Sequence, residues 1–323
     1  MRVNRIGRTD VRVTGIGFGS APIGNLYSEV SDETALGAVE AAWEAGVRYF
    51  DTAPHYGLGL AERRLGRALG RYLRSEFVLS TKVGRLLVPN PAPAGSDLAA
   101  GGFAVADQLT RERDYSADGT RRSIEASLER TGTDRFDIVL VHDPDDYADE
   151  ALSQAIPALI ELREQGVIGA VGVGMNQWQV PLRMVREADL DVVMLAGRWT
   201  LADRSGAQLM EECQDRGVSI LAAAPYNSGL LASDWPREDA CFDYASASAN
   251  MLAEARRLAR IGARHGVPLP ELAIQFPARH PATAAVVVGL RSADEVRSAI
   301  DRATRAIPSR VWAELDEGVR HAN

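Results

Sequence analysis

From residue 15 to about residue 303 the chain repeats one pattern: a short apolar run, a polar or glycine-containing turn, then a stretch with helical periodicity. The apolar runs are IGFGSA (16–21), VRYFDTA (47–53), FVLSTKV (77–83), FDIVLVH (136–142), IGAVGVG (168–174), VVMLAG (192–197), VSILAAA (218–224) and AAVVVG (284–289). Between them lie amphipathic segments such as DETALGAVEAAWEAG (32–46) and DEALSQAIPALIELREQG (149–166), the second ending on Gly166 as a helix C-cap. Before the first run, RVNRIGRTDVRVTG alternates apolar and polar residues around a GRTD turn, which predicts a β-hairpin.

Strands that alternate with helices form a parallel sheet, and these runs lack the alternation of a half-exposed strand, so both faces are covered. Eight such units close most naturally into a (β/α)8 TIM barrel. Residues 1–323 then form a single domain, with the N-terminal hairpin capping the barrel bottom. The rival is a doubly wound open sheet. No GxGxxG follows the first run, however, and the two glycines of GVGMNQ (172–177) stand in the wrong context for one. Two connections are longer than a barrel needs: 84–118, with PNPAPAG and GG, and 225–247, with SGLLASDWPRED. Both follow strand C-termini, the catalytic face of such barrels. They read as lids or binding loops, against the plainer reading of tolerated insertions.

Composition narrows the function classes. A chain of 323 residues with 46% hydrophobic and 25% charged residues can bury a sizeable core as a soluble globular protein. Its formal net charge of -8 argues against a nucleic-acid partner, which would need a basic face. Two cysteines, Cys213 and Cys241, cannot build a disulfide framework and lack metal-site spacing, as expected of a reducing compartment. With no signal-type apolar region and no apolar run near the roughly 18 residues of a span, no membrane role and a cytoplasmic location are expected.

The candidate chemistry lies at the strand ends. Of 36 Lys+Arg residues, Lys82 is the only lysine, in FVLSTKVG. Where charge alone is needed this chain uses arginine, so a compact ammonium that can share its proton marks position 82 for chemistry. The preceding strand ends in FDTAPHYG, with Asp51 at its tip and Tyr56 in the next loop, and the following strand ends in His142. Each has a bland reading: Asp51 as a helix cap, Lys82 as its ion-pair partner, Tyr56 as a loop aromatic, His142 as a near-core histidine. Charged or titratable groups ending three adjacent buried strands nevertheless point to one shared site. Asp51 would anchor Lys82, whose ammonium would favour the Tyr56 phenolate over a phenol that titrates near 10. His142 would steer a substrate oxygen towards Tyr56.

On GVRYFDTAPHYG, STKVG and DIVLVHDPD, the chain resembles the aldo-keto reductases over essentially its whole length. The resemblance implies Tyr56 as general acid/base, with Lys82, Asp51 and His142, in hydride transfer with a nicotinamide cofactor lying across the barrel top without a Rossmann fold. It also implies cofactor contacts from Ser20, Asp51, Asn176, the stretch Asn227, Ser228, Gly229 and Leu230, and from Gly289, Arg291 and Glu295 of GLRSADEV. The pattern departs from the family at Met175, Ala196 and Ala223, where Ser, Gln and an aromatic are usual. Gly289 and Glu295 stand where NADPH-preferring members carry Lys and Arg. A carboxylate repels a 2′-phosphate and accepts from a 2′-hydroxyl, which favours NAD, with NADP left open by the nearby Arg291. No metal is implied.

KVGRLL, the stretch 113–132 and VHDPDD are similar to the bacterial aldose 1-dehydrogenases that act on L-fucose and D-threo-aldoses. Plant L-galactose dehydrogenases and a pyridoxal dehydrogenase share the same places. The implied reaction is oxidation of a hemiacetal carbon to a lactone, the substrate being a small sugar or another hemiacetal or carbonyl compound. Tyr27, His55, Tyr56, His142 and Trp199, with Tyr226, are the expected substrate contacts. A general NADPH-dependent aldehyde reductase is the alternative.

Overall fold

The computed structural model describes residues 1–243 and 245–320. Tyr244, inside the second expected loop, and residues 321–323 of the expected domain lie outside them. Eight parallel strands close into a barrel: β1 (Ile16–Gly19), β2 (Tyr49–Asp51), β3 (Val78–Val83), β4 (Ile138–His142), β5 (Ala170–Met175), β6 (Val192–Ala196), β7 (Ser219–Ala223) and β8 (Thr283–Gly289). They follow one another in chain order around the ring. Helices pack outside, among them α1 (Asp32–Glu44), α2 (Leu60–Leu69) and α3 (Ala117–Thr131). Four helices start on serine: Ser31, Ser116, Ser248 and Ser292 each accept the backbone N–H three residues on, satisfying a donor the first turn would leave unpaired. Gly166 has φ +73° just past the helix Ile156–Glu164, as its capping role requires.

The N-terminal hairpin forms as expected, with Val3–Arg5 antiparallel to Arg12–Thr14. It closes the barrel at the N-terminal ends of the strands. Its Ile6 and Val13 are fully buried against Tyr49, Ile138, Ala170, Val192 and Leu221, and the Gly7 N–H donates to Ser219 Oγ at 2.8 Å. The lower interior is therefore an apolar plug.

The long connection 84–118, expected as a lid or binding loop, has secondary structure of its own. Arg85–Pro89 and Leu109–Arg113 pair antiparallel as a β-ribbon, with a short helical turn, Leu98–Gly101, between them. After Pro89, which still pairs with Leu109, the remaining prolines and glycines of PNPAPAG and GG lie between the strands RLLVP and LTRER that form the ladder. Gly84 directs the chain out of β3 at φ +100°, and the Tyr115 ring lies 2.2 Å from where a side chain there would begin, so only glycine fits. Ribbon and barrel are stitched by Tyr27 N–H to Gly102 O (2.8 Å), Ala104 N–H to Asn25 O (2.8 Å) and Arg111 Nη2 to His55 O (2.9 Å). The ribbon thus folds over the tops of β1 and β2. Among the described residues no helix is long and apolar enough to cross a membrane.

Candidate active site

The two-residue alternation of a strand decides what faces the barrel axis. Tyr49 and Asp51 of β2, Val78, Ser80 and Lys82 of β3, and Ile138, Leu140 and His142 of β4 share a face on each strand, and each series runs from apolar at the hairpin end to polar at the other. The register sets Asp51 beside Ser80, and Lys82 beside Leu140. Three strands therefore deliver a carboxylate, an ammonium and an imidazole to the C-terminal mouth.

There Lys82 Nζ donates to Asp51 Oδ2 at 2.6 Å and to the Thr52 carbonyl at 3.0 Å, and both side chains are about 2–3% exposed. Asp51 Oδ1 accepts from Ser80 Oγ at 2.7 Å, which makes Tyr49 the donor in its 3.1 Å contact with Ser80, since Ser80 has one proton to give. Burial and the Asp51 charge push the Tyr49 phenol well above its usual value, so it remains a donor. Burial by itself disfavours the charged form of Lys82. Asp51 and Tyr56 outweigh it, and the lysine's pKa rises. Its ammonium stands 4.7 Å from the centre of the Tyr56 ring.

Two imidazoles complete the mouth. His142 lies 6.1 Å from Tyr56 and 5.7 Å from His55, ring centre to ring centre. Burial, then the charges of Arg85 and Lys82, hold His142 well below its ordinary pKa; burial, then Arg85, Arg111, Lys82 and Arg113, bring His55 down to about 2. Both rings are neutral across the working range, so the 3.5 Å approach of His142 Nε2 to Asp143 Oδ2 is not an ion pair. Nδ1 of each ring is buried without a hydrogen-bond partner among the described residues. Phe103 of the ribbon packs edge-on to His55 at 5.3 Å.

Every non-glycine residue with positive φ among those described follows a strand C-terminus: Asn25 and Tyr27 after β1, Leu58 after β2, Asp143 after β4, and Ala224, Asn227, Ser228 and Asp243 after β7. Backbone strain of this kind costs about 1–3 kcal/mol per residue and persists only where surrounding contacts hold it. It marks the same end of the barrel as the charges. A cleft of about 730 Å³ lies at the opposite, hairpin end, bordered by Arg12, Arg48, Arg74, Arg135 and Arg163. Three of those arginines are tied to Asp137, Asp191 or backbone carbonyls, and the strained and shifted groups lie elsewhere, so size is a poor guide here.

The remaining expected residues separate into groups. Asn176, Asn227 and Ser228 meet around a small cleft of about 20 Å³ with Ala196, Gly197 and Ala224. Asn227 Nδ2 donates to Gly197 O at 3.1 Å, while its Oδ1, like Ser20 Oγ, is buried without a partner among the described residues. Ala196 and Ala223 pair across the ladder. The unpartnered Asn227 Oδ1, in a cleft with Asn176, Ala196, Gly197 and Ala224, fits a polar group of a bound nicotinamide dinucleotide. Leu230, expected at the cofactor, has its side chain fully buried among Leu201, Leu231 and Leu258, which leaves only its backbone for that role. Trp199, expected as a substrate contact, packs its ring on Phe276 (5.5 Å) and His280 (5.4 Å) and lies partly buried between two apolar clusters, its indole Nε1 without a partner among the described residues. Tyr226 is half-buried between the same two clusters. Tyr27 lies half-exposed at the rim beside the ribbon.

At the far end, Glu295 Oε2 accepts the Arg291 N–H at 2.9 Å and so serves as a helix cap, and Arg291 reaches Ser28 Oγ at 2.9 Å. A Cβ at Gly289 would lie 3.0 Å from Pro22 Cγ, so a side chain there would require the proline ring to give slightly. Sequence reading passed over Ser80, Arg85, Phe103, Arg111 and Asp143. Ser80 was signalled by its two-residue offset from Lys82, and Asp143 by adjacency to His142. The ribbon residues had no local signal, because only the hairpin pairing brings them to the mouth.

Comparison with known proteins agrees with this geometry. The Aldo/keto reductase family model matches residues 15–320. The chain is 44% identical to a D-threo-aldose 1-dehydrogenase from Pseudomonas sp., over 94% of each chain, and 38% identical to a pyridoxal 4-dehydrogenase from Microbacterium luteolum, over 96% of this chain and 95% of that one. Among solved structures, the holo form of an aldo-keto reductase from Bacillus halodurans superposes with a TM-score of 0.77 at 25% identity, covering 98% of this chain and 96% of that one.

Proposed function

This chain belongs to the aldo/keto reductase family and is an NAD(P)-dependent oxidoreductase, and from that premise we propose that it oxidises the hemiacetal carbon of an aldose, such as L-fucose or a D-threo-aldose, to the lactone. The observation that carries the reading is the buried Asp51–Lys82 pair pressed against Tyr56 beside two neutral imidazoles. The 44% identity to a D-threo-aldose 1-dehydrogenase supports an aldose over other carbonyl compounds.

Tyr56 is the group that takes the anomeric hydroxyl proton. Its phenolate is favoured by an ammonium that Asp51 keeps charged and that Thr52 O keeps aimed. His142, neutral, has one ring N–H for the substrate oxygen, and being uncharged it does not compete with Lys82 for the phenolate. Asn176, Asn227, Ser228, Ser20 and the backbone at Gly229 would hold a nicotinamide dinucleotide, which supplies the hydride acceptor when bound. Arg291 and Glu295 would meet its adenosine end. NAD is the proposed form, because the Glu295 carboxylate opposes a 2′-phosphate. The domain is proposed to span 1–323.

The test is an initial-rate screen by nicotinamide absorbance, with NAD and NADP in parallel, against L-fucose, D-arabinose, L-galactose, L-glucose and pyridoxal. Turnover of an aldose to its lactone is the expected result. Turnover of pyridoxal alone, or only NADPH-driven reduction of simple aldehydes, would replace the aldose reading.

A further inference from the structure

Next to His142, the mouth contains a charged pair that the proton-transfer scheme does not use. Asp143 sits at φ +41° immediately after β4, its carboxylate accepting Arg85 Nη2 at 2.5 Å. The turn is held from below: the single proton of Tyr115 OH is shared between the carbonyls of His142 (2.7 Å) and Asp143 (2.8 Å), and Arg113 Nη1 donates to Asp143 O at 3.1 Å. Arg85 and Arg113 are directly opposed in the ribbon ladder, so the strand pairing that builds the ribbon also brings the guanidinium to Asp143. Both members are largely buried, at 14% and 22% side-chain exposure.

The pair is incompletely satisfied. Arg85 Nε is buried without a partner among the described residues, and so are Nδ1 of His142 and of His55. A carboxylate has about four acceptor positions, and no other hydrogen bond to the Asp143 carboxylate is found among the described residues. Asp143 Oδ2 also stands 3.5 Å from His142 Nε2, which puts this unused capacity at the atoms that would meet a substrate. Buried charges with unmade hydrogen bonds are costly, and a ligand that makes those bonds is favoured over one that cannot. A guanidinium beside a carboxylate offers donors and acceptors a few ångströms apart, the arrangement that neighbouring hydroxyls need, since each gives one proton and accepts another. An alkyl aldehyde would cover the same groups with methylenes and leave them unpaired.

We propose that the Arg85–Asp143 pair is the specificity element of this site, hydrogen-bonding vicinal ring hydroxyls of the substrate and thereby selecting polyols over plain aldehydes. The inference rests on the aldose reading above and names what in the mouth enforces it. A site built to hydrogen-bond a hydroxyl rejects analogues lacking it by as much as about 10⁴-fold.

The test compares wild type with Arg85→Gln and Asp143→Asn, the second chosen because asparagine tolerates the left-handed backbone at 143. Substrates are L-fucose, its single-deoxy analogues at C2, C3 and C4, and butanal assayed as reduction; melting curves confirm that each variant folds. In wild type, two neighbouring deoxy positions should each lower kcat/KM by about 10- to 100-fold. In both variants that discrimination should vanish, L-fucose should lose a similar factor mainly through KM, and butanal should improve relative to L-fucose. If the variants lose L-fucose and butanal activity equally, with deoxy discrimination intact, the pair only positions His142 and the proposal is overturned. Variants indistinguishable from wild type overturn it as well. A wild-type enzyme inactive on every aldose refutes the aldose reading itself, an outcome separable from the other two because it needs no variant.

Discussion

Lys82→Arg keeps the charge at the catalytic mouth and changes only its shape. The ammonium is wedged between Asp51 Oδ2 at 2.6 Å and Thr52 O at 3.0 Å, in a side chain 2% exposed. A planar, forked guanidinium cannot occupy that space without moving a strand end or rotating away from Tyr56. Overpacking of a filled interior costs about 1–3 kcal/mol, a visible but survivable loss of stability. The rate should suffer more. A displacement of about 1 Å can cost about 10²-fold, and a positioned acid–base group contributes about 10²–10⁴-fold. We expect kcat/KM to fall at least about 10²-fold, equivalent to about 2.7 kcal/mol of transition-state stabilisation. The assay is single-turnover hydride transfer across pH, with Lys82→Met as the charge-free control and melting curves for all three proteins. Lys82→Met should be slower still, with its acid–base limb moved to higher pH. A folded Lys82→Arg enzyme within about threefold of wild type would refute the claim that position 82 requires an ammonium, and with it this account of Tyr56.

Further outcomes follow from the same contacts. His55 is neutral when folded because burial and four cations bring its pKa to about 2 from 6.5. The unfolded chain therefore binds the extra proton between those values, and this contribution to stability is complete above pH 6.5 and lost as pH falls, at about 1.4 kcal/mol per pH unit. Chemical denaturation of His55→Gln against wild type between pH 6.5 and 4.5 should show that difference in slope; parallel curves would contradict it. Arg111 forms a two-point pair with Asp97, which is 3% exposed at its side chain, and also ties down His55 O. Arg111→Ala should destabilise by about 3–5 kcal/mol through the stranded carboxylate, with hydrogen exchange rising first in the ribbon 85–113. Protection unchanged there would mean that the ribbon is held by other contacts. Glu295→Ala should shift the ratio of NAD to NADP affinity towards NADP by about tenfold, and fluorescence titration of both cofactors reads it; an unchanged ratio would limit Glu295 to capping its helix.

How much of this molecule could be read along the chain differs between fold and site. Alternation of period two and of period near 3.6 is a local property, so eight strands, their helices and the hairpin were legible, and the barrel followed from their number. That Asp51, Lys82 and His142 meet was legible for a related reason. Each ends an apolar run, and a parallel barrel must bring the ends of adjacent strands together. What the sequence could not convey was side-chain direction in the loops and the pairing of distant segments. Trp199 follows β6 and read equally well as core or as substrate contact; which neighbours its ring meets, Phe276 and His280, is set by packing that no local window contains. Glu295 is bound up with the Arg291 N–H four residues before it, and Gly289 lies close against Pro22, a neighbour far away in the chain. The ribbon is the clearest case. PNPAPAG reads as part of a lid or binding loop, but RLLVP and LTRER, twenty residues apart, satisfy each other's backbone groups and carry Arg85, Phe103 and Arg111 to the mouth. Local periodicity determined the elements and the strand ends on which the chemistry stands. Only long-range hydrogen bonding and packing, whose partners no local window contains, decided which side chains line the site and how many of their polar atoms remain for a ligand.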